Sequence, residues 1–243
     1  MKSISIILLS LMILSCNKRE DRIQIIEDEN LNQKQIDSII DEYNFEYSRV
    51  VFIDSMEKVI LPISTQNARD KSRYSAKSYY ADSYPNYWNL IFFDIKSGKT
   101  KLLTQKKTRI LDFTTNFKNV GPILKKSVLY KAGDTDYNLD KKLTYVDPNQ
   151  LFISDIDGNN FSRLSPINEN LIEYEIVPNT DKIIFRTLRD SNGNKEFDEK
   201  DEKIWYLIDL STKSKAVEIL NQEKRKEIEN LYFKQWLVKN NKG

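Results

Sequence analysis

The 243-residue chain contains no histidine and a single cysteine, Cys16. Without an imidazole there is no Ser/His/Asp or Cys/His relay and no histidine general base, and a His/Cys zinc site cannot be assembled. Glycine and proline are scarce, 6 of each, so the chain is neither collagen-like nor low-complexity. No excess of one charge exists either: 38 Lys+Arg stand against 36 Asp+Glu, a net +2. That balance, with no basic stripe interleaved with aromatics, excludes nucleic acid as the expected partner. Walker, dinucleotide-binding and nucleophile-elbow motifs are absent. What is present is 40% hydrophobic residues, enough at this length to build a core without disulfides.

Apolar runs long enough to span a bilayer are also missing. Ser3 to Leu14 is a run of Ile, Leu and Met diluted by serines, behind Met1-Lys2. Its length suits the hydrophobic region of a secretory signal, while a spanning helix needs about 20 residues. Ile13-Leu14-Ser15-Cys16 resembles the lipobox of bacterial lipoproteins, in which the cysteine is diacylated and becomes the mature N-terminus. The resemblance implies a signal peptide over 1–15, lipidation at Cys16 and a charged tether over 16–30. Asn17-Lys18-Arg19-Glu20-Asp21 resembles the stretch behind the cysteine of surface-exported lipoproteins in the Bacteroidetes. The expected location is thus the cell envelope, on the outer membrane facing periplasm or surface, with the membrane contacted through lipid. Each buried methylene adds about 0.8 kcal/mol of membrane affinity, so two or three acyl chains anchor a soluble domain.

Asn32 and Gln35 form a capping-box pattern, and Ile36, Ile39, Ile40 and Tyr43 follow at helical spacing, predicting a short helix over 31–44. From residue 45 the period shortens. Arg49 to Ile53, Leu90 to Phe93, Lys182 to Phe185 and Ile204 to Ile208 are β-branched and aromatic runs bounded by turn formers, the pattern of strands. Over 221–243, an Asn221 cap and an apolar stripe of Ile228, Leu231, Tyr232 and Trp236 predict a C-terminal helix docked on the sheets.

A repeat organises the β region. Asp136, Leu143, Asp147 and Asp155 recur 54 positions later as Asp190, Phe197, Asp201 and Asp209. A third copy of the strand-Asp-turn-strand unit begins at Trp88 and runs through Asp94 to Leu103. Such spacing is that of stacked four-stranded meanders. Ser154 to Pro166 and Val177 to Phe185 resemble the hairpins of TolB-type β-propellers, which implies a mainly β, propeller-like stack of antiparallel meander sheets over 45–220. Three to four units fit: the hairpin from Arg49 to Leu61 either begins a fourth, or the array is open.

Within the repeat lie two oxygen-rich loops. Asp190, Asn192, Asn194, Glu196, Asp198 and Asp201 occupy positions 1, 3, 5, 7, 9 and 12 of a 12-residue segment, and Asp136, Asn138, Asp140, Lys142, Thr144 and Asp147 repeat them. Alternating oxygen donors closed by an acid suit a hard cation, with position 7 supplying its backbone carbonyl. Both segments resemble EF-hand or dockerin-type calcium loops, which implies structural calcium as the cofactor. Lys141 and Lys195 at position 6, normally glycine, and Asp in place of Glu at position 12 predict reduced affinity. Asp134 offers the first loop a competing register.

Tyr79 to Trp88 is dense in aromatics, and Tyr84, Tyr87 and Trp88 are candidates for stacking on a sugar or peptide; the same rings could instead fill space between sheets. The expected function is a non-catalytic, calcium-stabilised, lipid-anchored module that binds an envelope protein or glycan. The alternative is a carboxylate-dependent glycan-active enzyme, which requires two acids about 5 to 9.5 Å apart in a cleft.

Overall fold

The computed structural model describes residues 32–34, 43–53, 57–67, 87–141, 143–212 and 214–237. The signal and tether over 1–30, Cys16, most of the N-terminal helix, Tyr84 and Lys142 lie outside them.

The chain is mainly β, as its period-2 runs predict. The first sheet comprises β1 (Tyr43–Tyr47), β2 (Val51–Ile53), β3 (Lys58–Asn67), β4 (Asn89–Asp94) and β5 (Thr100–Leu102) in the order β1-β3-β4-β5, with β2 also paired to β3. The second holds β6 (Arg109–Thr114), β7 (Ser127–Gly133), β8 (Gln150–Asp155) and β9 (Ser162–Arg163), and the third β10 (Glu169–Ile176), β11 (Lys182–Arg189), β12 (Glu202–Asp209) and β13 (Val217–Glu218). Both are four-stranded antiparallel meanders in sequence order. The hairpin from Arg49 to Leu61 therefore adds to the first sheet; among the described residues there are three sheets and no fourth.

Two expectations need correction. Tyr43, expected to end a helix, begins β1, which pairs with β3 from Tyr43↔Asn67 to Tyr47↔Ile63. Of the predicted N-terminal helix only residues 33 and 34 are described as helical. The C-terminal helix, Gln222–Trp236, starts as predicted, with the Asn221 side chain accepting from Lys224 N at 2.9 Å. It does not bury its apolar stripe: Ile228, Leu231, Tyr232 and Trp236 are all exposed. Its tie to the third sheet is electrostatic and near its start, where Arg225 meets Glu202 and Glu218.

The repeat read from the sequence is visible as geometry. Asp94, Asp155 and Asp209 each end the third strand of a meander and accept backbone N–H groups from the turn that follows: Ser97 N at 2.7 Å, Asp157 N at 2.9 Å and Ser211 N at 3.0 Å. Such Asx turns are why Asp recurs at these positions. Two cores lie between the sheets. Ile60, Leu90 and Phe92 pack on Val128, Tyr130 and Phe152 between the first and second; Leu129 and Leu151 pack on Ile183, Phe185 and Tyr206 between the second and third. The middle sheet thus sends alternate residues of β7 and β8 to opposite faces and is buried on both.

Polar pins supplement the cores. Gly158 takes φ +70° in the turn after β8, and a Cβ there would lie 2.6 Å from the Phe92 ring, so glycine permits the second sheet's turn to seat on the first. Lys58 binds Asp157 across this junction. At the next junction Asp181 accepts from Ile123 N and Leu124 N, both at 2.9 Å, and a Cβ on Gly121 would collide with its carboxylate at 2.3 Å.

Candidate functional site: two equivalent loops

The first oxygen-rich loop joins β7 to β8 and the second joins β11 to β12, so the meander repeat places them at the same end of adjacent sheets. They share a backbone skeleton. At position 1, Asp136 accepts from Asp140 N at 3.2 Å and Lys141 N at 2.8 Å; Asp190 accepts from Asn194 N at 3.2 Å and Lys195 N at 2.9 Å. Asn138 and Asn192, at position 3, accept from the position 5 N–H at 3.1 and 2.9 Å. At position 12, Asp147 accepts from Tyr137 N at 3.0 Å and Thr144 N at 2.7 Å, and Asp201 from Ser191 N and Asp198 N, both at 3.1 Å. One carboxylate folds the first half of the loop and the other closes it. The two closing acids are buried, Asp147 at 2% and Asp201 at 5% exposure.

Position 6 is left-handed in both loops, with φ 65° at Lys141 and 64° at Lys195. The conformation that glycine ordinarily serves is therefore adopted by lysine, at a cost of roughly 1–2 kcal/mol for an L-residue. Position 4 is left-handed as well, where the second loop has Gly193 at φ 74° and the first has Leu139 at 63°. Asp134 pairs with Arg163 and Thr135, and it is Asp136 that makes the backbone bonds Asp190 makes in the second loop.

The loops touch. Tyr137, at position 2 of the first, donates its hydroxyl to Asp190 Oδ2 at 3.0 Å, and its ring lies 5.1 Å from that of Phe197. Burial works to raise the Asp190 carboxyl, but the Lys195 N–H, the Tyr137 hydroxyl and the Gly193 and Asn194 N–H groups outweigh it and hold the group below the ordinary aspartate value. The Tyr137 phenol is pushed up, first by burial and then by its hydrogen bond to the Asp190 carboxylate. Tyr137 is invisible as a site residue in the sequence because position 2 of such a loop carries no ligand role.

Among the described residues no group of three or more Asp, Glu or Cys side chains converges as a metal cluster. Tested on donor chemistry, an ion in either loop would depend on the position 1 and 12 carboxylates together with the Asn oxygens, each of which also accepts a backbone N–H. The left-handed position 6 and the inward closing acid fit that use. Asp140 and Asn194 stand at position 5, Asn194 accepting from Glu196 N at 2.9 Å. Asp198 accepts from Lys200 N at 2.7 Å, and Thr144 Oγ1 from Val146 N at 3.4 Å.

The aromatic candidates divide. Tyr87 forms an antiparallel bridge with Ile110 and packs edge-on against Phe113 at 6.0 Å, sealing the first inter-sheet core. Trp88 is 39% exposed at the start of β4.

Two cavities matter to the enzymatic alternative. One of about 240 Å³ is lined by Asp112 and Glu173 together with Lys131 and Tyr174, but Glu173 is held by Arg186 at 2.7 Å. A second, about 500 Å³, lies beside Lys101, Lys106, Asp134 and Arg163 and contains one acid. The most buried glutamate among the described residues, Glu169, sits elsewhere, bound by Arg189 at 2.7 Å and by the Tyr206 hydroxyl at 3.0 Å. That network raises the Arg189 guanidinium against the opposing effect of burial, and burial with Glu169 raises the Tyr206 phenol; its role is to staple β10, β11, β12 and β13.

No protein-family model and no curated protein matches the chain. Among solved structures it is similar to puromycin hydrolase and to a mutant of that enzyme complexed with PGG, in each case at 10% identity and TM-score 0.38. Each match covers 72% of this chain and 20% of the other, so the chain spans about a fifth of the length of those proteins. Among the described residues no helix is long and apolar enough to cross a membrane.

Proposed function

We propose that this chain is a lipid-anchored cell-envelope protein whose propeller-like, calcium-braced β body serves as a non-catalytic binding module for an envelope protein or glycan. The observation that carries the reading is the shared skeleton of the two loops: twelve-residue segments, 54 positions apart, share the backbone bonds accepted at positions 1, 3 and 12 and meet through Tyr137 and Asp190. Ligand-type residues in that order, with a left-handed position 6, are what a calcium loop needs. Millimolar extracytoplasmic calcium fills even sites of about 10⁻⁴ to 10⁻³ M affinity. Cys16 behind its apolar run supports the anchor, and the outer membrane is the location that the residues after it favour. When bound, calcium supplies charge that draws the loop oxygens together; Asp190 and Asp201 would hold it in the second loop, and Asp136 and Asp147 in the first.

Calcium titrated into chelator-treated protein is the test. Calorimetric heat and a raised melting temperature are expected, both reduced in Asp201→Asn and lost when Asp147→Asn is added to it; no heat and no shift overturn the calcium reading. The anchor is tested separately. Wild type is expected in the detergent phase of a cloud-point partition with an acylated N-terminal peptide by mass spectrometry, and Cys16→Ser in the aqueous phase; equal partition overturns it.

A further inference from the structure

The two cores follow one rule of construction, and it leaves two faces over. With Asp94, Asp155 and Asp209 aligned through their strand pairings, Ile60, Leu90 and Phe92 of the first sheet match Leu129, Leu151 and Ile153 of the second. Each triplet faces the sheet that follows it. Val128, Tyr130 and Phe152 of the second sheet match Ile183, Phe185 and Tyr206 of the third, and each of these faces the sheet that precedes it. A sheet therefore has a forward face and a rear face of fixed, complementary composition.

The forward face of the third sheet consists, by the same alignment, of Ile184, Trp205 and Leu207, and no further sheet follows among the described residues. All three are half-buried. Val217, paired to Leu207 and 62% exposed, extends this face, as does Ile219, which is bonded to Trp205 O. The rear face of the first sheet consists of Val59, Leu61 and Ile91, and no sheet precedes it among the described residues. Val59 is buried, but Phe52, its partner on β2, is 63% exposed, and Leu102, the partner of Ile91, is 43% exposed. Apolar side chains of this size left on both ends of a stack mark interaction surfaces.

We propose that the two end faces are each other's partners in trans: the first sheet of a second copy seats on the third sheet of this one, and the reciprocal contact closes a ring of two chains. The warrant is continuity with the internal interfaces, since each end presents the face that its counterpart already mates with inside the chain. A contact between unlike faces yields a closed ring or an open fibre, according to the rotation per unit. Two copies of three sheets make six, within the four to eight units of closed propellers; closure rests on the propeller-like reading proposed above.

Sedimentation velocity of the full chain in density-matched mild detergent tests this, with near-ultraviolet circular dichroism as the check on folding. Wild type is expected to be a dimer. Phe52→Asp and Val217→Asp, at exposed rims of the two faces, are each expected to weaken association roughly tenfold or more. Mixing the two variants is expected to restore association above that of either alone, because one of the two contacts in the mixed ring joins undamaged faces. A wild-type monomer, as results if the chain's own residues cover an end face, overturns the proposal and leaves the propeller-like reading standing. Loss of association in one variant only, without rescue on mixing, shows like-to-like pairing and also overturns it. A ladder of larger species overturns closure and the propeller-like reading together.

Discussion

The loop joining β7 to β8 and the loop joining β11 to β12 keep four of twelve residues in common, yet their described residues make the same backbone bonds. Between the first and second loops, position 4 changes from Leu139 to Gly193, position 9 from Thr144 to Asp198 and position 2 from Tyr137 to Ser191. What persists is an aspartate at each end, each holding at least two backbone N–H groups, an asparagine at position 3 and a lysine at position 6. The fold of such a loop is set by where its carboxylates accept, and the positions between are free to diverge. The first loop has spent that freedom on Tyr137, which reaches its neighbour; the second on Gly193, which relieves position 4.

The largest effect that can break this equivalence is loss of a closing acid. Asp147→Ala and Asp201→Ala each strand backbone donors in a buried setting, at about 1–3 kcal/mol per unsatisfied group, and in chelator their urea midpoints are expected to fall together. With calcium added, a widened gap from wild type in either variant assigns the ion to that loop. Next is position 4. Leu139→Gly is expected to stabilise by about 1 kcal/mol and Gly193→Leu to destabilise by a similar amount, opposite signs at equivalent sites read by thermal melting. Tyr137→Phe removes the bond between the loops and is expected to cost about 0.5–1.5 kcal/mol, with faster hydrogen exchange at the Lys195 amide, which shares the Asp190 carboxylate. The smallest effect concerns protons. Asp190 titrates below its ordinary value of 3.8, so its contribution is fully present above that pH and is lost as pH falls through the folded value. Asp190→Asn is expected to flatten the acid limb of the stability curve below about pH 4, and an unchanged limb refutes that assignment.

Much of the fold was legible because the repeat is written in turn chemistry. Asp94, Asp155 and Asp209 mark strand ends in the sequence for the reason they do so in space: each caps the N–H groups of its turn. Ligand spacing marked out the second loop from Asp190 to Asp201, but left the first open between Asp134 and Asp136. Position 6 was read as a defect, whereas Lys141 and Lys195 adopt the left-handed conformation regardless, because the position 1 carboxylate binds their N–H groups. Tyr43 was assigned to a helix since Ile36, Ile39, Ile40 and Tyr43 keep helical spacing; pairing to β3 is a long-range fact that no local window contains. The C-terminal stripe shows the same limit. Periodicity reveals that Ile228, Leu231, Tyr232 and Trp236 share a face, but not what that face meets, and Arg225 ties the start of the helix to the third sheet through ion pairs. The pairing of Tyr137 with Asp190 joins residues 53 positions apart and leaves no signal in either loop by itself.

Each sheet is assembled from strands consecutive along the chain, so one sheet can be completed before the strands of the next are needed. A polypeptide emerging N-terminus first from the ribosome can thus complete one layer before the next emerges, and each finished layer offers the template on which its successor condenses. Mechanical or thermal unravelling is expected to run in the opposite direction, peeling the last layer first.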